Sequence, residues 1–261
     1  MSNISFSVFT KPWKDPIDLL GERVAKLGFQ GIELPVRPGY PVTPETVNEL
    51  RAAVDRLKQH GVAVFSIAGP TDEATFAACA ESGIPIVRVM APIRPEGYLA
   101  TEQQLQREYD NLLPLLEKYG ITLGVQNHSG NFVSNACGLR SLTCKYDPAR
   151  IGIVWDAAHN ALNGEEMELG IEIVWSHLCM VNLKNAFWRQ TGDSEAASAA
   201  WSPYWTSGPE GLASWSRVAK ELIRKAYSGV ICLTAEYSDE SQVDRLIESD
   251  LVFARSLFGS E

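Results

Sequence analysis

The runs ITLGVQNH, residues 121–128, and IGIVWDAAH, residues 151–159, decide how this chain is read. Each begins as a block of Ile, Leu and Val without polar alternation, the pattern of a strand in a parallel sheet covered on both faces by helices. Each ends abruptly in polar side chains, Gln126, Asn127 and His128 in the first and Asp156 and His159 in the second. A carboxylate at the end of an apolar run is costly unless it caps a helix, pairs with a base or meets a cation.

Working outward, the same unit recurs on both sides. ISFSVF (4–9) precedes a helix from about Ile17 to Leu27, and GIELPV (31–36) precedes TPETVNELRAAVDRLKQHG, with Thr43 as cap, Pro44 at the first helical position and Gly61 at the close. VAVFSIAG (62–69) leads to a helix capped by Asp72, and IPIVRVMAPI (84–93) to TEQQLQREYDNLLPLLEKYG, where Pro114 is expected to kink the helix. GLRSLTCKY, EEMELGIEIVWSH, LASWSRVAKELIRKAY and SQVDRLIESDLVFARSLF follow the remaining apolar runs, the last two of which are LCMVNLKNAF (178–187) and VICLTAEY (230–237). Eight strand-helix units predict an α/β fold, a (β/α)8 TIM barrel forming a single domain over residues 1–261. A doubly wound open sheet is the alternative, but the glycine-rich G-x-G-x-x-G turn it would use for phosphate is missing. After the seventh strand the segment 186–210 is polar and broken by Gly and Pro, which predicts a long loop carrying Trp188, Trp201, Tyr204 and Trp205.

Composition narrows the partners. With a net charge of −9 and no cluster of Lys and Arg longer than a pair, the 261-residue chain lacks the basic face that nucleic acid requires. MSNISFSVFTKPW has no basic segment followed by an apolar run, and no stretch approaches the length of a membrane span, so a cytoplasmic protein without membrane contact is expected. Cys79, Cys137, Cys144, Cys179 and Cys232 form no C-x-x-C pair and are expected to be core residues rather than a disulfide or zinc framework.

In a TIM barrel, chemistry sits at the carboxyl ends of the strands. There the chain places Glu33, Arg94, Gln126, His128, Asp156, His159, Asn182, Lys184 and Glu236. Side chains alternate along a strand, so Gln126 shares a face with His128 and Asn182 with Lys184, and that face is the lumen. Plainer readings exist for single residues: Asp156 can cap the helix that follows, and Glu33 can pair with a neighbouring arginine. His60 and His177, near helix ends, are placed to meet terminal carbonyls. The aromatic insertion, with Trp188 and Trp205, is read either as a cover that stacks on a sugar ring or as a surface packed against a second copy in a homo-oligomer.

GIEL (31–34), QNHSG (126–130), VWDAAH (154–159), VNLKN (181–185) and TAEY (234–237) together resemble the xylose isomerase-like TIM barrels, the sugar phosphate isomerase/epimerase group. That group includes hydroxypyruvate isomerase, tagatose epimerase-type enzymes and endonuclease IV. The resemblance implies a small carbohydrate substrate and a divalent ion, Mn²⁺, Mg²⁺ or Co²⁺, held by Gln126, Asp156, Asn182 and Glu236. His159 and Glu33 would then contact substrate. The family's strand 5 position is usually glutamate and its strand 7 position histidine, whereas this chain has Gln126 and Asn182. Both can offer an oxygen, but one carboxylate fewer implies a weakly held ion.

The implied reaction is metal-assisted proton abstraction beside a carbonyl, as in sugar isomerases and epimerases. An amide cannot take a proton at neutral pH, so symmetric two-base epimerisation is disfavoured. The expected catalytic group is Glu236 or His128 as base with Lys184 or His159 as donor, and Arg94, Trp188 and Trp205 as further substrate contacts. Two alternatives stand beside this reading: a lyase that dehydrates a keto-sugar or keto-cyclitol, and a sugar-binding protein on a decayed barrel. An endonuclease of the endonuclease IV kind would need more histidines than the four present.

Overall fold

The computed structural model describes residues 4–192 and 198–259. Its eight barrel strands are β1 (Ile4–Phe9), β2 (Gly31–Pro35), β3 (Ala63–Ala68), β4 (Ile86–Met90), β5 (Thr122–Gln126), β6 (Ile151–Asp156), β7 (Leu178–Leu183) and, after two hairpin strands, β10 (Gly229–Leu233). All neighbours are parallel, and β1 pairs with both β2 and β10, which closes the barrel. The helices are α1 (Ile17–Lys26), α2 (Leu50–Gln59), α3 (Glu73–Ser82), α4 (Tyr98–Tyr119), α5 (Ala136–Thr143), α6 (Ala157–Leu162), α7 (Met167–Val174), α8 (Trp215–Arg224) and α9 (Val243–Phe258). The expected α/β barrel is therefore the observed one.

Local chemistry explains most of the boundaries. The Asp72 carboxylate accepts from Thr75 N at 2.8 Å at the start of α3, and Asn135 does the same for Gly138 N at 2.7 Å before α5. Thr43 caps the next element and Pro44 opens it, as expected, but residues Pro44–Glu49 form a 3-10 turn, Thr46 leaves helical geometry at φ −111°, and α2 begins only at Leu50. There the Thr46 hydroxyl reaches back to accept from Thr43 N at 3.0 Å, the capping-box bond that satisfies a donor the helix leaves without a partner. α4 runs through Pro114 as one helix of 22 residues.

The long loop expected after the seventh strand is in fact a hairpin. β8 (Asn185–Gln190) and β9 (Trp201–Thr206) pair antiparallel, from Asn185 opposite Thr206 to Gln190 opposite Trp201. Cross-strand aromatics supply the reason: the rings of Phe187 and Tyr204 lie 5.2 Å apart, and the Arg189 guanidinium sits 3.5 Å from the Tyr204 ring centre. Polarity and Gly/Pro punctuation concealed this alternation. Residues 193–197 of the insertion lie outside the described residues.

Apolar side chains fill two spaces. The larger core lies between strands and helices, and a smaller cluster of Phe9, Ala68, Ile86, Val154, Met180 and Cys232 plugs the lumen. Glycines on β5 and β6 make room for it: a Cβ on Gly124 would meet Val154 at 2.8 Å, and one on Gly152 would meet Cys179 at 2.8 Å. Of the cysteines, Cys79 and Cys232 are buried, while Cys137 and Cys144 are exposed on and beside α5, contrary to the expected core placement. Among the described residues no helix is long and apolar enough to cross a membrane.

Candidate active site

Above the lumen plug the strands carry a polar layer, and its centre is a residue that the sequence reading passed over. Arg88 on β4 is buried, and its Nε donates to both oxygens of Glu33, at 2.8 and 2.9 Å. Glu33 also accepts from the Ser66 hydroxyl at 3.1 Å, so it pairs with an arginine, as one of the two readings held. Burial disfavours the Arg88 cation, but Glu33 beside it more than compensates and holds its pKa above the ordinary arginine value. Arg88 Nη1 donates to Gln126 Oε1, and Gln126 Nε2 in turn donates to Asp156 Oδ2 at 2.9 Å. The warning in the sequence was a lone cation within IVRVM, flanked by valines.

Asp156 ends β6 and caps α6, where its Oδ1 accepts from His159 N at 3.1 Å. Asn127 pins the same turn, with its Oδ1 accepting from Asp156 N at 2.7 Å and its Nδ2 donating to Asp156 O at 3.1 Å. Burial pushes the Asp156 carboxyl above its ordinary value, and the Lys184 ammonium, 4.0 Å away, offsets this only in part. Lys184 follows β7 directly and is buried; its Nζ donates to Glu236 Oε2 at 3.0 Å and lies 4.2 Å from the Trp205 ring centre.

Glu236 lies on the loop beyond β10 rather than on the strand. Ala235 before it adopts φ +48°, a left-handed conformation that costs a non-glycine residue about 1–3 kcal/mol and clusters at functional sites. The other Glu236 oxygen accepts from Lys11 at 2.9 Å. Burial alone would raise this carboxyl; the ammonium groups of Lys184 and Lys11 instead bring it down to about 2.

The two histidine rings lie against each other, tilted by 37°, with centres 3.9 Å apart. His128 Nδ1 lies 2.8 Å from the carbonyl of Ser129. A carbonyl only accepts, so Nδ1 carries the proton and Nε2 keeps the lone pair. For His159 the polarity is reversed: Ser129 N donates to Nδ1 at 3.0 Å, which puts the proton on Nε2. Burial lowers the pKa of both rings, that of His159 far below its ordinary value, with Lys184 adding to the effect in each case.

Gln126, His128, Asn182, Lys184, Thr234 and Glu236 line one pocket at the C-terminal mouth. Both polar atoms of Asn182, Thr234 Oγ1 and His159 Nε2 are buried without a hydrogen-bond partner. Sharing Lys11 and Glu236 with this pocket, a cleft of about 1040 Å³ opens outward past Trp13, Tyr40 and Trp205. Two expected substrate contacts lie elsewhere. Arg94 is engaged by Gln104 and Glu108 of α4, at 2.9 and 2.7 Å, and Trp188 on the hairpin donates to Leu162 O at 3.0 Å. Of the helix-end histidines, His177 meets the Tyr146 carbonyl at 3.1 Å, whereas His60 packs where a Cβ on Gly21 would lie.

The family model described as xylose isomerase-like TIM barrel matches residues 22–257. The chain belongs to this family. No curated protein matches the sequence. Among solved structures, 3-keto-D-glucoside 4-epimerase YcjR from E. coli superposes with a TM-score of 0.73 at 13% identity, over 97% of this chain and 100% of that one. The probable 3-DHS dehydratase AsbF from Bacillus anthracis gives 0.70 at 11% identity over 95% and 97%. IolI, solved with a bound zinc atom, gives 0.74 at 11% identity over 98% of both chains. At such identities these likenesses establish the fold.

A divalent ion does not fit the implied ligand set as it is arranged in this family member. Gln126 Oε1 is taken by Arg88, and Gln126 points its N–H groups, not its oxygen, at Asp156. Lys184 stands between Asp156 and Glu236, and Lys11 holds the second Glu236 oxygen. Asn182 alone is unengaged, and it carries no charge. Among the described residues no group of three or more His, Cys, Asp or Glu side chains is placed to hold a metal.

Proposed function

We propose that this protein is a sugar isomerase or epimerase-like enzyme that moves a proton on the carbon next to the carbonyl of a sugar or keto-sugar. The observation that carries the reading is the meeting of His128 and Lys184 in one pocket whose Asn182 and Thr234 are left without partners. Orphaned buried groups of this kind cost roughly 1–3 kcal/mol each, and substrate hydroxyls would satisfy them.

In this reading Nε2 of neutral His128 takes the proton from carbon. The C–H electron pair becomes a C=C bond as the C=O π pair moves onto the carbonyl oxygen, and the resulting enediolate is stabilised by the Lys184 ammonium. Transfer of the adjacent hydroxyl proton to that oxygen, with return of the carbon-derived proton from His128 to the former carbonyl carbon, completes an isomerisation. Glu236 is an unsuitable base because both of its oxygens already accept from ammonium groups; its part is to fix Lys184. Trp205, from the adjoining cleft, covers the ammonium with its ring face. Polarisation of the carbonyl, assigned to a divalent ion by the family resemblance, falls here to Lys184.

A second reading is favoured by Gln126. With both ends of its amide engaged it offers no base on the opposite face, so one-base reactions are preferred, and these include loss of water from a keto-sugar through the same enolate. His159 Nε2–H, buried and unpartnered, is a donor suited to a leaving hydroxyl.

Incubating the protein in D₂O with a panel of ketoses, aldoses and keto-glycosides, followed by NMR, tests both. Solvent deuterium next to the carbonyl, or formation of an enone, is expected, and His128→Ala should slow it by at least about a hundredfold. Sugar binding without exchange or elimination on any panel member would favour the binding-protein reading instead.

A further inference from the structure

We infer that the mouth of this barrel works without a resident metal ion, because Arg88 and Lys184 supply the positive charge that an ion would bring. Among the described residues three carboxylates face the mouth, those of Glu33, Asp156 and Glu236, and each lies against a side-chain cation. Glu33 is bound by Arg88, Glu236 by Lys184 and Lys11, and Asp156 has the Lys184 ammonium at 4.0 Å. The charges are matched before any ligand enters. A divalent ion needs oxygen donors at about 2.0–2.6 Å, and reaching Asp156 and Glu236 together would require it to displace the ammonium that both of them hold.

The hydrogen bonds agree with the charges. A carboxylate at position 126 would add a fourth negative group to the layer, where Arg88 could neutralise only part of it. The amide in its place accepts from Arg88 and donates to Asp156, so it relays between a cation and an anion without adding charge. Gln126 and Arg88 therefore read as a matched pair. Asn182 fits the same logic: beside an ammonium a neutral amide is tolerated, and its two free atoms remain for substrate. Both departures from the family pattern thus have a common explanation in the two buried bases. The inference concerns the resting protein and does not depend on which reaction it performs.

The experiment is metal analysis of the purified, intact protein after dialysis, together with titration by MnCl₂ and ZnCl₂ followed by calorimetry and thermal unfolding. Substoichiometric metal, no saturable binding at millimolar Mn²⁺ or Zn²⁺, and the same Tm in EDTA and in MnCl₂ are expected. One equivalent bound by the wild-type protein and lost in Asp156→Ala would overturn the inference, and this arm stands whether or not the other variants fold. Lys184→Met frees Asp156 and Glu236, so this variant should gain saturable Mn²⁺ binding and a rise of a few degrees in Tm with Mn²⁺. A folded Lys184→Met protein that still ignores Mn²⁺ would overturn the role given to Lys184. Deuterium exchange catalysed by the dialysed protein is read separately, so loss of the proposed function and loss of this inference are told apart.

Discussion

The lumen of the barrel has two layers on the same strands, and they bury side chains by different rules. The lower one, Phe9, Ala68, Ile86, Val154, Met180 and Cys232, is apolar and needs only shape. The upper one, Glu33, Arg88, Gln126, Asp156 and Asn182, is equally removed from water but is charged or polar throughout. A few residues along each strand separate a plug that any well-packed sequence could supply from a network in which every member but Asn182 depends on its neighbour. A replacement in the lower layer should therefore be graded by volume, and one in the upper layer by what it leaves unpaired.

The largest effect is expected at Arg88. Arg88→Met keeps much of the side-chain volume but leaves Glu33 charged, buried and with only the Ser66 hydroxyl, which should destabilise the fold by about 3–5 kcal/mol in urea unfolding. The double variant Glu33→Leu/Arg88→Met removes both charges and should recover most of that loss. If the single variant costs under about 1 kcal/mol, the two layers do not differ in the way described.

The rim above the mouth shows a third way to bury a carboxylate. Asp250 on α9 is buried, more deeply than the half-buried Glu236, and its partners are neutral: Gly208 N and the Tyr237 hydroxyl, each at 2.8 Å. Burial therefore wins, aided by Glu210, and lifts the carboxyl to about 6, whereas the two ammonium groups hold Glu236 near 2. A carboxyl with a raised folded-state pKa binds its proton more tightly when folded. Its contribution to stability is thus full below about pH 4, declines as pH rises to 6 and is constant above. Asp250→Asn removes that titration. The stability of wild type relative to Asp250→Asn should fall by roughly 2–3 kcal/mol between pH 4 and pH 7; a flat difference would mean that Asp250 is not held as described.

Legibility followed the same division. The apolar runs gave the eight strands, because burial on both faces leaves an unbroken hydrophobic signature, and their polar ends gave Glu33, Gln126, His128, Asp156, Asn182, Lys184 and Glu236. Three things were not legible. Arg88 sits inside a run rather than at its end, where its charge reads as an exception until Glu33 is placed across from it. Lys11 is separated from Glu236 by 225 positions, and no local pattern links them. In the hairpin of β8 and β9 pairing comes from cross-strand aromatics, a signal that appears only once the register is known.

The smallest effect should come from the lower layer, and it sets the scale for the others. Ile86→Val removes one methylene from the lumen plug, where Ile86 lies close to Gly124 and is almost wholly buried. The expected cost is about 0.5–1.5 kcal/mol of stability, with any deuterium exchange at the mouth unchanged within about twofold. A methylene carries no charge and no hydrogen bond, so nothing above it has to find a new partner. A large drop in exchange from this change would mean that the plug positions Arg88 and Gln126 by contact. The polar layer would then owe its geometry to packing from below as well as to its own hydrogen bonds.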